Sequence, residues 1–277
     1  MAKSAILTIM ERAAVKAGRR LARDFTEVER LQVSTKGPGD FVSDADKRAE
    51  QTIYEILNEA RPDWGFLGEE TGINKGADKQ HRWIVDPLDG TTNFLHSIPQ
   101  FAVSIALERD GEIVAGLIYN PISDEMFSAE KGKGAFLNDT RLRVAARRRL
   151  TDAVIVNGFP HRGRGDHGLW LREAAMVMSK TSGMRRFGAA ALDLAWIAAG
   201  RFDGYWEEGL SPWDFAAGVI LVREAGGIIR DTRGGENAMQ SGNLVAGNDL
   251  IVGQLCKVLS EAQAAHAKAQ TNRSDNA

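Results

Sequence analysis

The segment that most constrains this chain is Trp83-Ile-Val-Asp-Pro-Leu-Asp-Gly-Thr-Thr-Asn-Phe94, in which an apolar run ends at a carboxylate. Pro87 fixes its own φ and biases Asp86 away from the α region, while Gly90 permits a turn that other residues resist. The pattern predicts a strand ending in a tight, stiff loop that carries Asp86 and Asp89 and is followed by free backbone N–H groups. Such a loop suits a hard cation and a phosphate better than a hydrophobic core.

Composition sets broad limits on fold and partners. The 277 residues are 43% hydrophobic, which is enough for a sizeable core in one large domain or two smaller ones. A formal net charge of -2 gives no global attraction to nucleic acid or anionic membrane. The single cysteine, Cys256, excludes an internal disulfide and a multi-cysteine zinc site. Because Glu11 and Arg12 interrupt the first apolar residues and no segment could span a bilayer, we expect a soluble cytoplasmic protein.

Apolar periodicity predicts a mixed chain. A three-to-four spacing predicts a helix over 6–21, and Ser43 with Asp46 has the spacing of a capping box for a second helix that ends before Pro62. A hairpin is predicted over 101–119 and further strands at 126–127, 135–137, 154–156, 184–187, 228–229 and 244–245. Helices are predicted over 170–178, 189–199, 213–225 and 248–259. The order of elements predicts an α/β or α+β protein of stacked layers, with one domain over 1–263 and a disordered tail over 264–277.

Several other acidic residues are candidates to join Asp86 and Asp89. Each has an ordinary explanation, as a solvated turn or a helix cap, when it is taken alone. Together, without histidine or cysteine, they favour Mg²⁺ or Mn²⁺, which would also relieve the repulsion between packed carboxylates. Two such ions can activate a water and stabilise the leaving oxygen of a phosphate ester. The candidates are Asp44, Asp46, Glu69, Glu70, Glu207, Glu208 and Asp214.

These residues resemble a known family. The Trp83–Phe94 segment is similar to the first signature of the inositol monophosphatase family, and Glu207-Glu-Gly-Leu-Ser-Pro-Trp-Asp-Phe-Ala-Ala-Gly218 is similar to the second. Residues 184–227 look closest to the bacterial SuhB-type members. The resemblance implies a layered αβαβα sandwich of the sugar-phosphatase type, usually a homodimer. It also implies lithium-sensitive, Mg²⁺-dependent hydrolysis of small phosphate monoesters.

The resemblance also implies a role for individual residues. Two metals would be held, the first by Glu69, Asp86 and the Leu88 carbonyl, and the second by Asp86, Asp89 and Asp214; a third, weaker ion would lean on Glu69 through water. Thr91, hydrogen-bonded to Asp46, would orient the nucleophilic water together with Glu69. Gly90 and Thr91 would bind phosphate through N–H groups. Glu207 and Ala190 would contact the substrate, and Lys36 would lie near the outer metal.

The substrate is less well defined by the sequence than the chemistry. The leading hypothesis is inositol 1-phosphate or a similar polyol phosphate. Fructose-1,6-bisphosphate, 3′-phosphoadenosine phosphate and histidinol phosphate are alternatives within the same fold. The resemblance leaves them open, because Ala189 stands where many relatives have a hydroxyl-bearing residue and residues 157–161 differ from the animal enzymes. An alternative of another class is an accessory factor that binds RNA or the transcription machinery, a role reported for SuhB-type relatives. The arginines that favour it are Arg141, Arg143, Arg147, Arg148, Arg149, Arg162 and Arg164.

Overall fold

A computed structural model describes residues 4–27, 33–37, 40–160 and 165–274. The helices of this part of the chain are α1 Ala5–Phe25, α2 Asp44–Ala60, α3 Thr91–Leu95, α4 His167–Met178, α5 Ala190–Ala198, α6 Pro212–Glu224, α7 Ala238–Ser241 and α8 Asp249–Ser274. Its strands are β1 Val33–Gly37, β2 Asp40–Ser43, β3 Gly65–Gly68, β4 Gly72–Asn74, β5 His81–Asp89, β6 Ala102–Arg109, β7 Glu112–Asn120, β8 Glu125–Glu130, β9 Gly134–Leu137, β10 Thr140–Arg141, β11 Val154–Asn157, β12 Gly183–Arg185, β13 Gly204–Glu207, β14 Ile228–Arg230 and β15 Leu244–Gly247.

The larger sheet has eight strands in the order β10-β9-β8-β7-β6-β5-β3-β4. Its neighbours are antiparallel except for β3 and β5, which run parallel. One face is covered by α1 and α2, whose buried residues form a core with Trp83 and Val85 of β5. β5 therefore lies under a hydrophobic layer along most of its length, and its carboxyl end carries the predicted acidic loop.

The smaller sheet has five strands in the order β12-β11-β13-β15-β14. Helices α4 and α8 pack on its outer face, where Val177 and Leu255 belong to one buried cluster with Trp206. Helices α5 and α6 lie between the two sheets and are apolar nearly all round, as expected for elements buried on both sides. The layers are α1/α2, large sheet, α5/α6, small sheet and α4/α8, so the predicted αβαβα architecture is confirmed.

One glycine shows how closely the central layer approaches the large sheet. A Cβ at Gly116 of β7 would lie 2.7 Å from the Ala217 carbonyl oxygen of α6. Any side chain at this position would force α6 away from β7. Because the N-terminal turn of α6 carries Asp214, this close contact helps to fix how far Asp214 lies from the strands of the large sheet.

Most predicted elements are present, and two differ in extent. The last helix runs to Ser274, so it includes residues 264–274, for which the sequence predicted no regular structure. Alanine at 262, 264, 265, 267 and 269 is the best helix former and explains the continuation; residues 275–277 lie outside the described residues. β12 ends at Arg185, and Phe187, predicted to continue that strand, instead packs on Trp196 with ring centroids 5.0 Å apart. In the described ranges, every helix is too short or too polar to cross a bilayer.

Candidate active site

The turn from β5 into α3 has the predicted conformation. The β5–β6 register shifts between Asp86 and Asp89, which marks a bulge where Pro87 lacks an N–H for the ladder. The Leu88 N–H donates to Asp86 Oδ1 at 2.9 Å. Gly90 has φ 92°, in the left-handed region, and a Cβ there would come within 2.8 Å of the Gln100 carbonyl oxygen. Both carboxylates are thus presented by a stiff turn at the end of a buried strand.

Electrostatic coupling shows that carboxylates from four elements converge on this turn. Burial raises the pKa of Asp86 well above its usual range, and the charges of Glu69, Asp89, Asp214 and Asp46 raise it further. Burial likewise raises the pKa of Asp89, with Asp214 as the next contribution and the Ala191 N–H opposing it. The structure therefore brings together the acidic residues that the family resemblance assigned to the metals. Their separation in sequence is bridged by the packing of α2, β3, β5 and α6.

Glu69 is positioned by a residue that the sequence analysis missed. Glu50 of α2 is only 1% exposed and accepts hydrogen bonds from the N–H groups of Glu70 at 2.9 Å and Thr71 at 2.8 Å. A Cβ at Gly68 would lie 2.4 Å from Glu50 Oε2, so glycine is required beside this carboxylate. Glu50 follows Asp46 by four residues on the otherwise apolar buried face of α2, and that position is the signal that could have identified it.

The same helix brings Asp46 to the Glu69 turn. Asp46 is 1% exposed, and one ligand oxygen from each of Asp46, Glu69 and Glu70 lies within 4.8 Å of the other two. Such an all-oxygen group suits Mg²⁺, Mn²⁺ or Ca²⁺ rather than a soft metal. Glu70 was a candidate in the sequence but not among the ligands that the resemblance implied, and the structure places its carboxylate beside Asp46 and Glu69.

Two helix starts position the remaining carboxylates. Asp214 is the third residue of α6, and its Oδ2 accepts from the Ser211 N–H at 2.7 Å in a capping box with Pro212 at the start of the helix. Asp89 Oδ2 accepts from the Ala191 N–H at 2.7 Å, in the first turn of α5. Asp214 therefore caps α6, and its charge also raises the pKa of Asp86 and of Asp89. Ala190, the predicted substrate contact, begins α5 and is buried.

Thr91 connects the loop to α2. Its Oγ1 lies 3.0 Å from the Leu88 carbonyl oxygen and 3.3 Å from Asp46 Oδ2. A hydroxyl has one proton and two acceptor lone pairs, so Thr91 donates to one of these oxygens at a time. Gly90 caps α3 without a side-chain hydrogen bond. The first N–H groups of a helix have no intrahelical partner, which suits Gly90 and Thr91 for their predicted role of binding an anion.

Asn93 joins this turn to the loop between β12 and α5, and the sequence analysis did not identify it. Its Nδ2 donates to the Gln100 carbonyl at 2.7 Å and the Phe187 carbonyl at 2.8 Å. The second bond joins the loop after β5 to the loop that leads into α5. The Asp89–Ala191 bond and the Asn93–Phe187 bond therefore fix the same two loops relative to each other.

Glu207 ends β13 in a confined position near this loop. Tyr205 Oη donates to Glu207 Oε2 at 2.5 Å, and a Cβ at Gly158 would fall 1.9 Å from the Glu207 carboxyl carbon. Burial raises the pKa of Glu207, while the Tyr205 hydrogen bond and the charge of Arg186 oppose the rise. The Arg186 guanidinium lies 4.2 Å above the Phe159 ring. Segment 157–160 thus borders the carboxylate of Glu207, which is predicted to bind the substrate. His161 lies outside the described residues.

Some predicted residues remain untested by the geometry. Lys36 lies in β1, but its side chain is outside what the structure describes, as are Arg162 and Arg164. In the arginine run, Arg147 pairs with the buried Asp203 at 3.1 Å and Arg149 pairs with Asp152 at 2.8 Å. Two of the arginines proposed to contact nucleic acid are therefore already engaged with carboxylates of the same chain.

The site's donor chemistry fits divalent cations. The largest causes of the raised pKa of Asp86 are its burial and the neighbouring carboxylates Glu69, Asp89, Asp214 and Asp46. A buried cluster of this kind is stable as carboxylates only when bound cations neutralise it. A five-layer αβαβα fold with an acidic centre at a strand end defines the class of layered sugar phosphatases.

Comparison with known proteins agrees with that class. The model of the inositol monophosphatase family matches residues 2–272. A protein of Mesorhizobium japonicum named inositol-1-monophosphatase is 60% identical over 261 residues, covering 94% of this chain and 98% of that protein. A Salmonella typhimurium protein named Nus factor SuhB is 44% identical over 247 residues, with 89% and 92% covered. The crystal structure of the extragenic suppressor protein suhB from Bartonella henselae superposes with a TM-score of 0.90 at 58% identity, covering 92% of this chain and 98% of that one. The chain belongs to the inositol monophosphatase family, a family of phosphatases.

Proposed function

We propose that this protein is a Mg²⁺-dependent phosphatase that hydrolyses inositol 1-phosphate or a similar small polyol phosphate. The observation that carries the proposal is the convergence of Glu69, Asp86, Asp89 and Asp214 on one turn at the end of β5. The names of the relatives that are 55–60% identical support the inositol phosphate substrate.

Two to three ions would be held by this chain's oxygen ligands. Glu69, Asp86 and the Leu88 carbonyl would hold one ion, and Asp86, Asp89 and Asp214 would hold a second; Mn²⁺ is the natural substitute. When bound, the ions supply a water activated near neutral pH and neutralise charge on the phosphate. The Leu88 carbonyl would then be both a metal ligand and a hydrogen-bond acceptor, because it already lies within hydrogen-bond distance of Thr91 Oγ1.

The chain's own groups would orient the reactants. When Thr91 donates its proton to Asp46, its lone pairs are available to accept a hydrogen bond from the attacking water. Glu69, fixed by the Glu50-bound turn, would accept a hydrogen bond from the other O–H of that water and so help to orient it. The N–H groups of Gly90 and Thr91 bind the phosphate oxygens at the start of α3, where the helix dipole favours negative charge. Each of these groups is set by backbone structure, so little reorganisation is needed during the reaction.

The surroundings of Glu207 favour a neutral, hydroxyl-bearing leaving group. Glu207 offers a carboxylate to a substrate hydroxyl, and the buried Asp193 lies close enough for the Glu207 charge to raise its pKa. A second phosphate at this position would meet two carboxyl groups and the single positive charge of Arg186. We therefore rank polyol monophosphates above fructose-1,6-bisphosphate and 3′-phosphoadenosine phosphate.

A panel of phosphate esters tests this ranking. Release of inorganic phosphate from inositol 1-phosphate, histidinol phosphate, fructose-1,6-bisphosphate and 3′-phosphoadenosine phosphate is measured side by side with Mg²⁺ and with EDTA. We expect the highest kcat/KM for inositol 1-phosphate and loss of all activity in EDTA, and calorimetry should detect Mg²⁺ binding without substrate. A higher kcat/KM for a bisphosphate would contradict the proposal that Glu207 favours a leaving group with a hydroxyl over one with a second phosphate.

A second candidate function is association with RNA or the transcription machinery in the cytoplasm. It is supported by the name Nus factor SuhB of relatives that are 43–44% identical. The arginine run gives it less support than expected, since Arg147 and Arg149 are engaged in ion pairs. Co-purification of tagged protein with RNA polymerase, measured with and without RNase, tests this candidate.

The homodimer and lithium inhibition implied by the resemblance are tested by light scattering and by a LiCl titration of phosphate release.

A further inference from the structure

Helix α1 has a basic face directly opposite its buried face. Met10, Ala13, Ala14, Ala17 and Leu21 pack into the core. At 3.6 residues per turn, positions 12, 16, 19 and 23 follow one line on the other side of the helix, and position 20 borders it. We call the cations at these positions the α1 basic stripe: Arg12, Lys16, Arg19, Arg20 and Arg23.

The stripe is exposed and largely unneutralised. It lines an open cavity of about 980 Å³, to which Thr52 of α2 and one carboxylate, Glu11, also contribute. The five cations of the stripe outnumber that carboxylate. Arg12 lies 3.4 Å from Glu59, and both side chains are mostly exposed. Lys16, Arg19, Arg20 and Arg23 form no salt bridge with any other residue among those the structure describes. A chain with a net charge of -2 therefore carries a concentrated positive surface on one outer helix.

The α1 basic stripe suits an anion better than the arginines between 141 and 164 that the sequence analysis proposed for nucleic acid. Arg147 and Arg149 pair with Asp203 and Asp152, so their charges are already neutralised within the chain. Helical spacing instead aligns cations that are three or four residues apart. The α1 basic stripe is not a continuous basic run in the sequence, because small and apolar residues separate Arg12, Lys16, the Arg19-Arg20 pair and Arg23.

The linear arrangement of the stripe indicates the shape of the anion that it could bind. Arg12 and Arg23 are eleven residues apart, or about 16 Å along the axis at ~1.5 Å per residue, so the charges form a straight row rather than a single-point pocket. We propose that the α1 basic stripe binds the phosphate backbone of a single-stranded nucleic acid without reading its bases. Guanidinium groups bind phosphate oxygens in pairs, and a single row of cations matches one backbone rather than the two of a duplex.

Two further observations define this binding. The stripe contains no aromatic side chain on which a base could stack, so it has no means of preferring a sequence. The large hydrophobic side chains found exposed in the described residues are Ile73, Ile98, Ile122, Phe159, Leu171, Met178 and Leu250, and none lies on α1. A membrane-surface helix needs such side chains to insert beside its basic residues, so an anionic bilayer fits this face poorly.

The stripe is separate from the carboxylate site. It faces outward from the outermost layer, while the acidic residues lie at the carboxyl end of β5 beneath α2. Substitutions in the stripe therefore leave phosphate release unchanged, and that activity together with the melting temperature reports whether a variant is folded.

The test is the salt dependence of RNA binding. A fluorescent 12-nucleotide RNA with hydroxyl groups at both ends is titrated with protein in EDTA, so that the carboxylate site holds no metal to attract phosphate. For three to four backbone contacts, log Kobs should fall with log [KCl] with a slope of about -2 to -3, at ~0.7 per phosphate for a single strand. The double variant Lys16→Glu/Arg23→Glu should bind at least about tenfold more weakly, with a slope shallower by about 1.4.

A matched control separates this surface from net charge. Lys131→Glu/Lys133→Glu changes the net charge equally, but Lys131 and Lys133 pair with Glu112 and Glu130 near the β8–β9 turn. It should bind RNA like the unaltered protein. Equal binding by all three proteins, or equal loss in both double variants, would overturn the proposal. Stripe-dependent binding to phosphatidylserine vesicles or poly-glutamate that is tighter than RNA binding would overturn it as well.

Discussion

Thr91 Oγ1 lies 3.3 Å from Asp46 Oδ2, so the turn after β5 is joined to the first turn of α2, 45 residues earlier in the chain. The same hydroxyl lies 3.0 Å from the Leu88 carbonyl. This contact places a neutral hydroxyl between the outer helical layer and the acidic centre, where it can transmit the orientation of Asp46 to a bound water.

Replacing Thr91 tests that role. Thr91→Ala removes the hydroxyl, and we expect kcat to fall by about 10²-fold or more, the usual size of a proton-positioning contribution. Mg²⁺ affinity measured by calorimetry should change little, because carboxylates supply the metal ligands. Thr91→Ser keeps the hydroxyl and should retain most of kcat. If the serine and alanine variants lose kcat equally, the hydroxyl is not what matters at this position.

Glu50 should affect metal binding from outside the cluster. Glu50→Ala leaves the N–H groups of Glu70 and Thr71 without their acceptor, and we expect the free energy of unfolding to drop by about 2 kcal/mol. The Glu69 turn would loosen, so Mg²⁺ should bind more weakly as well. Glu55→Gln, at an exposed position of the same helix, is the control and should alter neither quantity. Urea unfolding and calorimetry measure both, and intact Mg²⁺ affinity in Glu50→Ala would contradict the positioning role.

The metal-free protein should lose stability as pH rises. The pKa of Asp86 and of Asp89 is raised above the unfolded value near 3.8, so the folded state binds more protons than the unfolded state above that pH. Stability contributed by the protonated forms is therefore lost progressively from about pH 4 upward. In EDTA we expect the melting temperature to fall between pH 5 and pH 8, and added Mg²⁺ to raise it more at pH 8 than at pH 5. An Asp86→Asn variant should show a flatter profile in EDTA.

Glu173 should show a second pH effect, away from the site. It is 1% exposed between α4 and α8, and burial, with a smaller contribution from the charge of Glu208, raises its pKa to about 7. Its charged form therefore destabilises the fold fully above pH 7 and not at all below its unfolded pKa of about 4.5. Glu173→Gln keeps the shape and should stabilise the protein by about 3 kcal/mol at pH 8 and negligibly at pH 4.5. Equal effects at both pH values would contradict this account.

Local chemistry explains which parts of the site could be predicted from the sequence. Pro87 and Gly90 restrict their own backbone, so the turn that presents Asp86 and Asp89 follows from a few adjacent residues. Asp214 joins that turn only through the packing of α6 between two sheets. Spacing along the chain carries no information about such a contact, and the family resemblance supplied it.

The missed features have physical reasons as well. Glu50 reads as a solvated acidic residue until the buried face of α2 is known, because its partners are backbone N–H groups rather than charged side chains. The three adjacent arginines at 147–149 indicated a basic surface, yet Arg147 and Arg149 form ion pairs with carboxylates of the same chain. The helical register of α1 assembles a denser basic surface from residues of which only Arg19 and Arg20 are adjacent in sequence.

The acidic cluster at the end of β5 is tested most directly by Asp89→Asn. Asparagine keeps the size of the side chain and can still accept the Ala191 N–H, so the fold should persist. Asp110→Asn, the same change at the positive-φ turn between β6 and β7, is the control. We predict that Asp89→Asn abolishes Mg²⁺-dependent release of phosphate from inositol 1-phosphate and weakens Mg²⁺ binding, while Asp110→Asn changes neither. Unchanged turnover in a folded Asp89→Asn protein would contradict the central claim.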